Sequence, residues 1–485
     1  MNASHSRVRS TDERFDLPLA SQTINGKSCP SPTSFAVVDP ATGLPFAQSP
    51  DATRQQLNDA VEAARQAQTR WARRPLDERR ALLRQFAAAL RQASAALAPL
   101  LTREQGKPLY RSEDEIKRAA AAMEALCELE LKPEVLKQDA VERVELHYRP
   151  LGVIGAITPW NVPIFLACTK IAQALLSGNT VVLKPSPYTP MATLEMGRLA
   201  IGILPPGVLN VLAGGNDLGQ WMTEHPDIAK ISFTGSVPTG KRVMQSAAGT
   251  LKRLTLELGG NDAAIVLPDA RVKDIAEKIF WAAFYNSGQT CMAIKRLYVH
   301  DSLHDALCQE LVALAKQVKV GSGLDPDVKI GPVQNRMQFD QVRAVIEETL
   351  ALPGVSLLSG GLPTASGGYF VEPTLFSSIQ EGCRLVDEET FGPVLPVLRF
   401  HDVEEAVARA NAFRVGLGAS VWTRDLALGE RLAHQLEAGT VWVNAHVNTD
   451  MAVPFGGAKE SGLGREFGLL GLKGYTEPAV VCVRE

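Results

Sequence analysis

At Gly152 the rhythm of the chain changes. From there, short apolar runs alternate with helix-length stretches. Gly152–Ile157, Thr180–Leu183, Val208–Leu212 and Ile231–Thr234 read as strands. Ile164–Leu176, Met191–Ile203 and a segment starting near Val237 read as helices. Strands that are apolar on both faces are expected where helices cover both sides of a sheet. The alternation therefore predicts a parallel α/β sheet, with its ligand at the carboxyl ends of the strands. A second run of the same kind follows Asn261, with strands at Ala263–Leu267, Leu297–His300 and Thr440–Asn444. Its helices fall at Leu303–Val318 and Phe339–Leu350.

Before Gly152, residues 52–130 read as helical, with apolar positions at helical spacing in Ala60–Trp71 and Leu82–Leu101. Val141–Tyr148 alternates with a period of two, and Tyr475–Val483 is also strand-like. Two isolated strands this far apart are expected to pair into a small projecting sheet, whose open edges invite another subunit.

With 485 residues, two to four domains are expected. Hydrophobic residues make up 45% and charged residues 21%, as in a globular protein in water. A net charge of −3 gives no reason to invoke nucleic acid or an anionic membrane. No apolar run reaches the ~20 residues that span a bilayer. Met1 to Ser28 is polar, carries both signs of charge and lacks the apolar centre of a secretory signal, so it reads as a loose arm. Seven dispersed cysteines with no Cys-x-x-Cys pair argue against a disulfide framework and against structural zinc; no metal is expected. A reducing, cytoplasmic setting suits them.

Two segments carry the chemistry. Cys291 closes Tyr285-Asn286-Ser287-Gly288-Gln289-Thr290-Cys291, and Glu257 ends an apolar strand at Leu256-Glu257-Leu258-Gly259-Gly260. A thiol behind a glycine turn, with a carboxylate available as base, is equipment for covalent chemistry on a carbonyl. Asn161, after Pro159-Trp160 at the end of the first parallel strand, offers an amide donor for a developing oxyanion.

No convincing Gly-x-Gly-x-x-Gly follows a strand. Instead Phe233-Thr234-Gly235-Ser236 leads into a helix with Pro238 in its first turn and Gly240 beyond. A helix start of this kind offers free N–H groups to a phosphate, and Ser236 could add a hydroxyl. The stretch nearly spells a P-loop, but Arg242 stands where magnesium binding needs Ser or Thr, which argues against an NTPase. Lys184 ends a buried strand, a costly place for a cation without a ligand or an acid.

Taken with Glu389-Thr390-Phe391-Gly392-Pro393, Gly321-Ser322-Gly323-Leu324-Asp325-Pro326, Gly331-Pro332 and Pro454-Phe455-Gly456-Gly457, these motifs resemble the NAD(P)-dependent aldehyde dehydrogenase superfamily from Val37 to Pro478. The resemblance implies two Rossmann-like parallel α/β domains plus a small β bridging element. It implies oxidation of a small-molecule aldehyde to the acid through a thiohemiacetal and a thioester on Cys291, hydrolysed with Glu257 as base. Asn161 and the Cys291 backbone N–H would hold the oxyanion. The implied cofactor residues are Trp160, Lys184, Ser186, Phe233, Gly235, Ser236, Gly240, Leu258, Glu389 and Phe391, with Lys184 on the adenosine ribose and Glu389 on the nicotinamide ribose. Many NAD-specific members carry a glutamate where this chain has Pro187, so NAD and NADP both stay open, with NAD the reading taken forward.

The implied substrate tunnel involves Phe165, Leu166, Tyr285, Thr290, Met292, His446 to Met451 and Phe455. No arginine adjoins Cys291 in sequence, so an apolar or aromatic aldehyde is expected over a semialdehyde. The expected partition is an arm at 1–28, a cofactor domain at 29–135 and 151–258, and a catalytic domain at 259–445. A β oligomerisation element at 136–150 and 474–485 would serve a homodimer or homotetramer, and 446–473 would form a substrate loop returning to the cofactor domain. The rivals are a CoA-acylating enzyme, disfavoured by Glu257, and a silent homologue that keeps only fold and cofactor.

Overall fold

The computed structural model describes residues 20–363 and 367–484. Two sheets organise it. In the first, Leu209–Val211, Thr180–Lys184, Val153–Ile157, Ile228–Thr234 and Arg253–Glu257 lie side by side and parallel. The chain steps outward from Val153–Ile157 in one direction, then returns to lay Ile228–Thr234 on its other side. That reversal opens a crevice at the carboxyl ends of the two strands, where a ligand fits between diverging connections. In the second sheet, Thr374–Ser377, Val394–Phe400, Ile294–His300, Asp262–Val266, Gly418–Trp422 and Thr440–Val443 are again parallel. Only Leu258-Gly259-Gly260-Asn261 separates the last parallel strand of the first sheet from the first strand of the second.

The helices form as their patterns require. Arg54–Arg73 starts at a capping box, Thr53 with Gln56, and buries Leu57, Ala60, Val61, Ala64 and Trp71 on one face. The expected Leu82–Leu101 stretch is two helices, Leu76–Gln92 and Ser94–Gln105. Their buried positions Leu90, Ser94, Leu97 and Leu101 keep helical spacing across the break, so the pattern could not show it. Pro163–Leu176 begins with proline in its first turn, and twelve of its 14 residues are buried.

The arm reading needs correction near its end. Gln22–Ile24 and Lys27–Cys29 form the antiparallel edge of the first sheet. The buried Gln22 side chain donates to Ala213 O (3.2 Å) and accepts from Ala213 N (2.7 Å). A polar side chain doing backbone work gives no apolar signal. Residues 1–19 of the expected arm lie outside the described residues. The two isolated strands pair along their length, Glu142–Pro150 with Thr476–Arg484, and a third strand that the sequence did not announce, Glu134–Gln138, flanks them.

Trp71 ties the first helix to the site-bearing helix, donating from Nε1 to Leu175 O at 3.0 Å while fully buried. Trp71→Ala should cost about 3–5 kcal/mol, read as a lowered midpoint in urea unfolding.

Candidate active site

One cleft of about 2350 Å³ runs from the crevice of the first sheet to the loop carrying Cys291. Every site residue anticipated above lines it except Gly240. A Cβ at Gly240 would stand 2.5 Å from Leu258 Cδ2, so that glycine works from behind the wall by letting Leu258 pack.

At the crevice end, the buried Lys184 donates to Pro185 O (3.3 Å), and burial brings its pKa down to about 8. No carboxylate pairs with it among the described residues. Ser186 lies beside it, buried. Ser236 caps the helix Val237–Ala247, accepting from Thr239 N (3.4 Å) and donating to Thr239 Oγ1 (3.0 Å). The Ser236 hydroxyl also lines the cleft. Gly235 has no room for a side chain, since a Cβ there would stand 2.5 Å from the Phe233 ring.

At the reaction end, three successive left-handed residues, Asn286 (φ 52°), Ser287 (φ 59°) and Gly288 (φ 70°), turn the chain before Cys291. Two of them are not glycine, a strained conformation held only where surroundings enforce it. Asn286 Nδ2 donates to Asn161 O (3.1 Å) and Gln289 O (3.3 Å), and Asn161 Nδ2 donates to Gln289 O (3.0 Å). A side-chain amide has two N–H groups, so one of Asn161's stays available. The half-buried Cys291 thiol is pushed up to about 12, first by burial and further by Glu389, Asp262 and Glu257. Lys295 opposes that shift, and its Nζ donates to Thr290 O (3.0 Å) and Cys291 O (2.5 Å).

Glu257 is buried, and neither carboxylate oxygen has a partner. Burial raises its pKa well above the carboxylate range, and Glu466 raises it further. Glu466 also lines the cleft and is clasped by Lys170 from the helix Pro163–Leu176. Lys170 was visible in sequence as a lone cation in an apolar helix; nothing local marked Glu466. Glu389 pairs with Lys295 (3.3 Å) and accepts from Gly260 N (3.2 Å). Phe391 stands edge-on to Trp160 at 5.3 Å, with Lys295 6.0 Å from its ring.

Phe165, Leu166, Tyr285, Met292 and Phe455 line the remaining wall. Phe467 stacks on Phe455 at 6.2 Å, and Trp281 and Arg118 join them without having been anticipated. Arg118 comes from the helix Leu109–Leu126, distant in sequence from the cysteine, and lies 5.6 Å from the Phe165 ring. Judging anchors by neighbours of Cys291 in sequence missed it. His446 bonds Ser420 Oγ (2.8 Å) through Nδ1, with Nε2 3.6 Å from Asp262.

Thr158, Asn161, Thr234, Glu257, Asn261, Thr290 and His446 each bury a polar atom without a partner, and all seven line the cleft. Buried polar atoms are ordinarily satisfied, so such a concentration fits an extended polar ligand lying along the wall. A dinucleotide matches that demand and the unpaired Lys184. Among the described residues, no group of three or more His, Cys, Asp or Glu is placed to hold a metal, and no helix is long and apolar enough to cross a membrane.

Two largely parallel sheets thus meet at a cleft that holds a thiol, a buried carboxylate and a polar wall. The sequence model of the Aldehyde dehydrogenase family matches residues 27–481. Aldehyde dehydrogenase LUC3 of Fusarium sp is 39% identical over 96% of this chain and 99% of its own length. Phenylacetaldehyde dehydrogenase of Pseudomonas fluorescens is 37% identical over 98% and 97%. The NAD+ complex of an aldehyde dehydrogenase from Bacillus cereus superposes with a TM-score of 0.92 at 33% identity, covering 99% of each chain. The chain belongs to the aldehyde dehydrogenase family, and its activity is oxidation of an aldehyde with NAD(P).

A thiol held near 12 is slow to react at neutral pH. Alkylation of Cys291 by iodoacetamide in the cofactor-free protein, followed by peptide mass spectrometry, should rise about tenfold per pH unit from 7 to 10. It should lag behind the exposed Cys482 throughout.

Proposed function

We propose that this is a hydrolytic aldehyde dehydrogenase in which Cys291 is the nucleophile, Asn161 an oxyanion donor and Glu257 the general base. The observation that carries the reading is Glu257: a buried carboxylate with both oxygens unpartnered, in the same cleft as Cys291. Such a group is kept at a cost that packing alone does not explain.

The Cys291 sulfur, as thiolate, forms a bond to the aldehyde carbon while the carbonyl oxygen takes the electron pair. The free N–H of Asn161 and the backbone N–H of Cys291 meet that oxygen. When bound, the nicotinamide supplies positive charge near the sulfur and accepts the hydride. Re-forming the carbonyl breaks the C–H bond, whose electron pair departs as that hydride, and leaves a thioester on Cys291. Glu257 then takes a proton from water, the water oxygen attacks the thioester carbon, and the acid leaves as the Cys291 thiolate is restored. Lys184, Glu389, Phe391, Trp160 and the wall from Phe233 to Ser236 would hold the dinucleotide.

Phe165, Phe455, Phe467 and Trp281 favour an apolar or aromatic aldehyde, as does the likeness to a phenylacetaldehyde dehydrogenase. A second reading rests on Arg118, which faces the cleft with a loose partner, Asp114 at 3.7 Å, and could receive a carboxylate at the far end of the substrate. For the assembly, the sheet containing Glu134–Gln138 offers exposed Val135, Leu136, Val480 and Val483 on its two edge strands, whose outer edges have no strand neighbour among the described residues, which supports a homo-oligomer. The seven free cysteines support a reducing compartment.

Cys291→Ala should bind cofactor and lose turnover. Glu257→Gln should release about one equivalent of reduced nicotinamide in a stopped-flow burst and then stall, with CoA giving no rescue. Steady-state turnover at the wild-type rate in Glu257→Gln would remove Glu257 from the mechanism. Because the Glu257 pKa is raised, its base form grows as pH rises, so deacylation should quicken with pH until that pKa is passed, and the dependence should vanish in Glu257→Gln. Arg118→Ala should leave kcat/KM for phenylacetaldehyde within about threefold. A loss of ~10-fold or more for an ω-carboxylated aldehyde alone would establish the second reading.

A further inference from the structure

Behind Asn161 lies a buried ion pair that the reaction scheme does not use. Lys107 and Glu115 are buried and in direct contact through Lys107 Nζ and Glu115 Oε2. Lys107 Nζ also donates to the backbone carbonyl of Asn161 at 2.8 Å. The other Glu115 oxygen accepts from Ile164 N (3.0 Å) and Phe165 N (3.3 Å), two of the free N–H groups at the start of the helix Pro163–Leu176. The pair therefore grips the two sides of Asn161: its own carbonyl, and the first turn of the helix that follows.

Lys107 is itself held from behind. Leu109 N donates to Gly323 O (2.8 Å), and a Cβ at Gly323 or Gly331 would collide with the backbone carbonyls of Lys107 or Gly106. This close approach explains the Gly321–Pro332 motif, which touches no part of the cleft. The far side of Asn161 is tied to the cysteine loop, because Asn286 donates to the same carbonyl as Lys107 and Asn161 Nδ2 donates to Gln289 O.

We infer that Lys107 and Glu115 are positioning residues that fix Asn161 against the Cys291 loop, so that its free N–H meets the oxyanion. The inference rests on the reading of Asn161 as the oxyanion donor. A misplacement of about 1 Å in such a donor is enough to slow chemistry by ~100-fold. A buried pair of this kind adds little stability over an apolar pair of similar shape, whereas removing one partner strands the other charge.

The test uses the full-length protein and the stopped-flow burst of reduced nicotinamide, with phenylacetaldehyde and NAD. Lys107→Met is expected to slow the burst by about 10- to 100-fold, with little change in cofactor Kd or aldehyde KM. Lys107→Met with Glu115→Gln removes both charges at nearly constant shape, so its melting temperature should return toward wild type while the burst stays slow. A role in stability alone predicts the opposite, recovery of both, and that result would overturn the inference. Asn161→Ala supplies the control: Lys107→Met added to it should cost less than a further threefold, because one donor cannot be lost twice. Losses that multiply in full would place Lys107 on a separate path and sink the idea. If Asn161→Ala itself bursts at the wild-type rate, the oxyanion assignment fails first. A wild-type burst in Lys107→Met beside a slow one in Asn161→Ala defeats the positioning role alone.

Discussion

Four residues carry the chain from one sheet to the other, and the geometry of the site follows from how closely the backbone approaches its neighbours there. A Cβ at Gly259 would collide with Glu389 Oε2, and one at Gly260 would stand 2.7 Å from Leu417 Cβ and 3.1 Å from Cys291 O. Without side chains at these positions, the last strand of the first sheet can end at Glu257 in the cleft that Cys291 also lines, and Glu389 can reach Gly260 N. Ser461 closes the same junction, donating through Oγ to Gly259 O (2.8 Å) and accepting from Gly416 N (2.9 Å). The short crossing keeps the two sheets adjacent, and the carboxylate and the thiol share one cleft.

The charges around the cleft are arranged against easy ionisation. Glu257, Glu389, Asp262 and Cys291 are near enough for each acid to raise the Cys291 pKa, and Glu466 raises that of Glu257. Two lysines temper this, each held close to one acid: Lys295 on Glu389 and Lys170 on Glu466. Lys295 also spends its donors on backbone carbonyls on either side of the cysteine, so it shapes the loop as well as its potential. Burial and the neighbouring carboxylates together favour the protonated form of the Cys291 thiol. Positive charge arriving beside the sulfur is what would shift the balance toward thiolate.

Much of this was legible in the sequence because it was written in short range. The strands of both sheets announce themselves as apolar runs, and Cys291, Glu257, Asn161 and Lys184 sit at strand or turn ends where ligand-facing residues belong. What escaped was the part set by contacts across the fold. Arg118 is remote from Cys291 in sequence and shares its cleft because one helix packs over another. Gln22–Ile24 is a three-residue edge strand whose pairing with the first sheet is reinforced by the Gln22 side-chain amide, and it is too short to show a pattern. The bond between Ser236 and Thr239 at the helix start is likewise a contact that the motif alone does not announce. Gly240 sits in the correct turn but answers to Leu258, a packing demand indistinguishable in sequence from a phosphate-binding one.

The polar interior of this protein is better understood as geometry than as stability. Lys170 with Glu466 and Lys107 with Glu115 are both fully buried, where desolvation of the ions offsets most of their attraction. Apolar substitutes of equal volume could fill the same space at little cost to the fold. They could not hold a backbone carbonyl and a helix start in fixed directions at once, as Lys107 and Glu115 do for Asn161. Nor could they leave an unpaired carboxylate such as Glu257 beside a neutralised neighbour. Hydrophobic contacts are non-directional, and dispersion alone aims nothing. Directional groups are needed wherever a backbone carbonyl and a helix start must be held at fixed angles, and Lys107 and Glu115 stand at such a place.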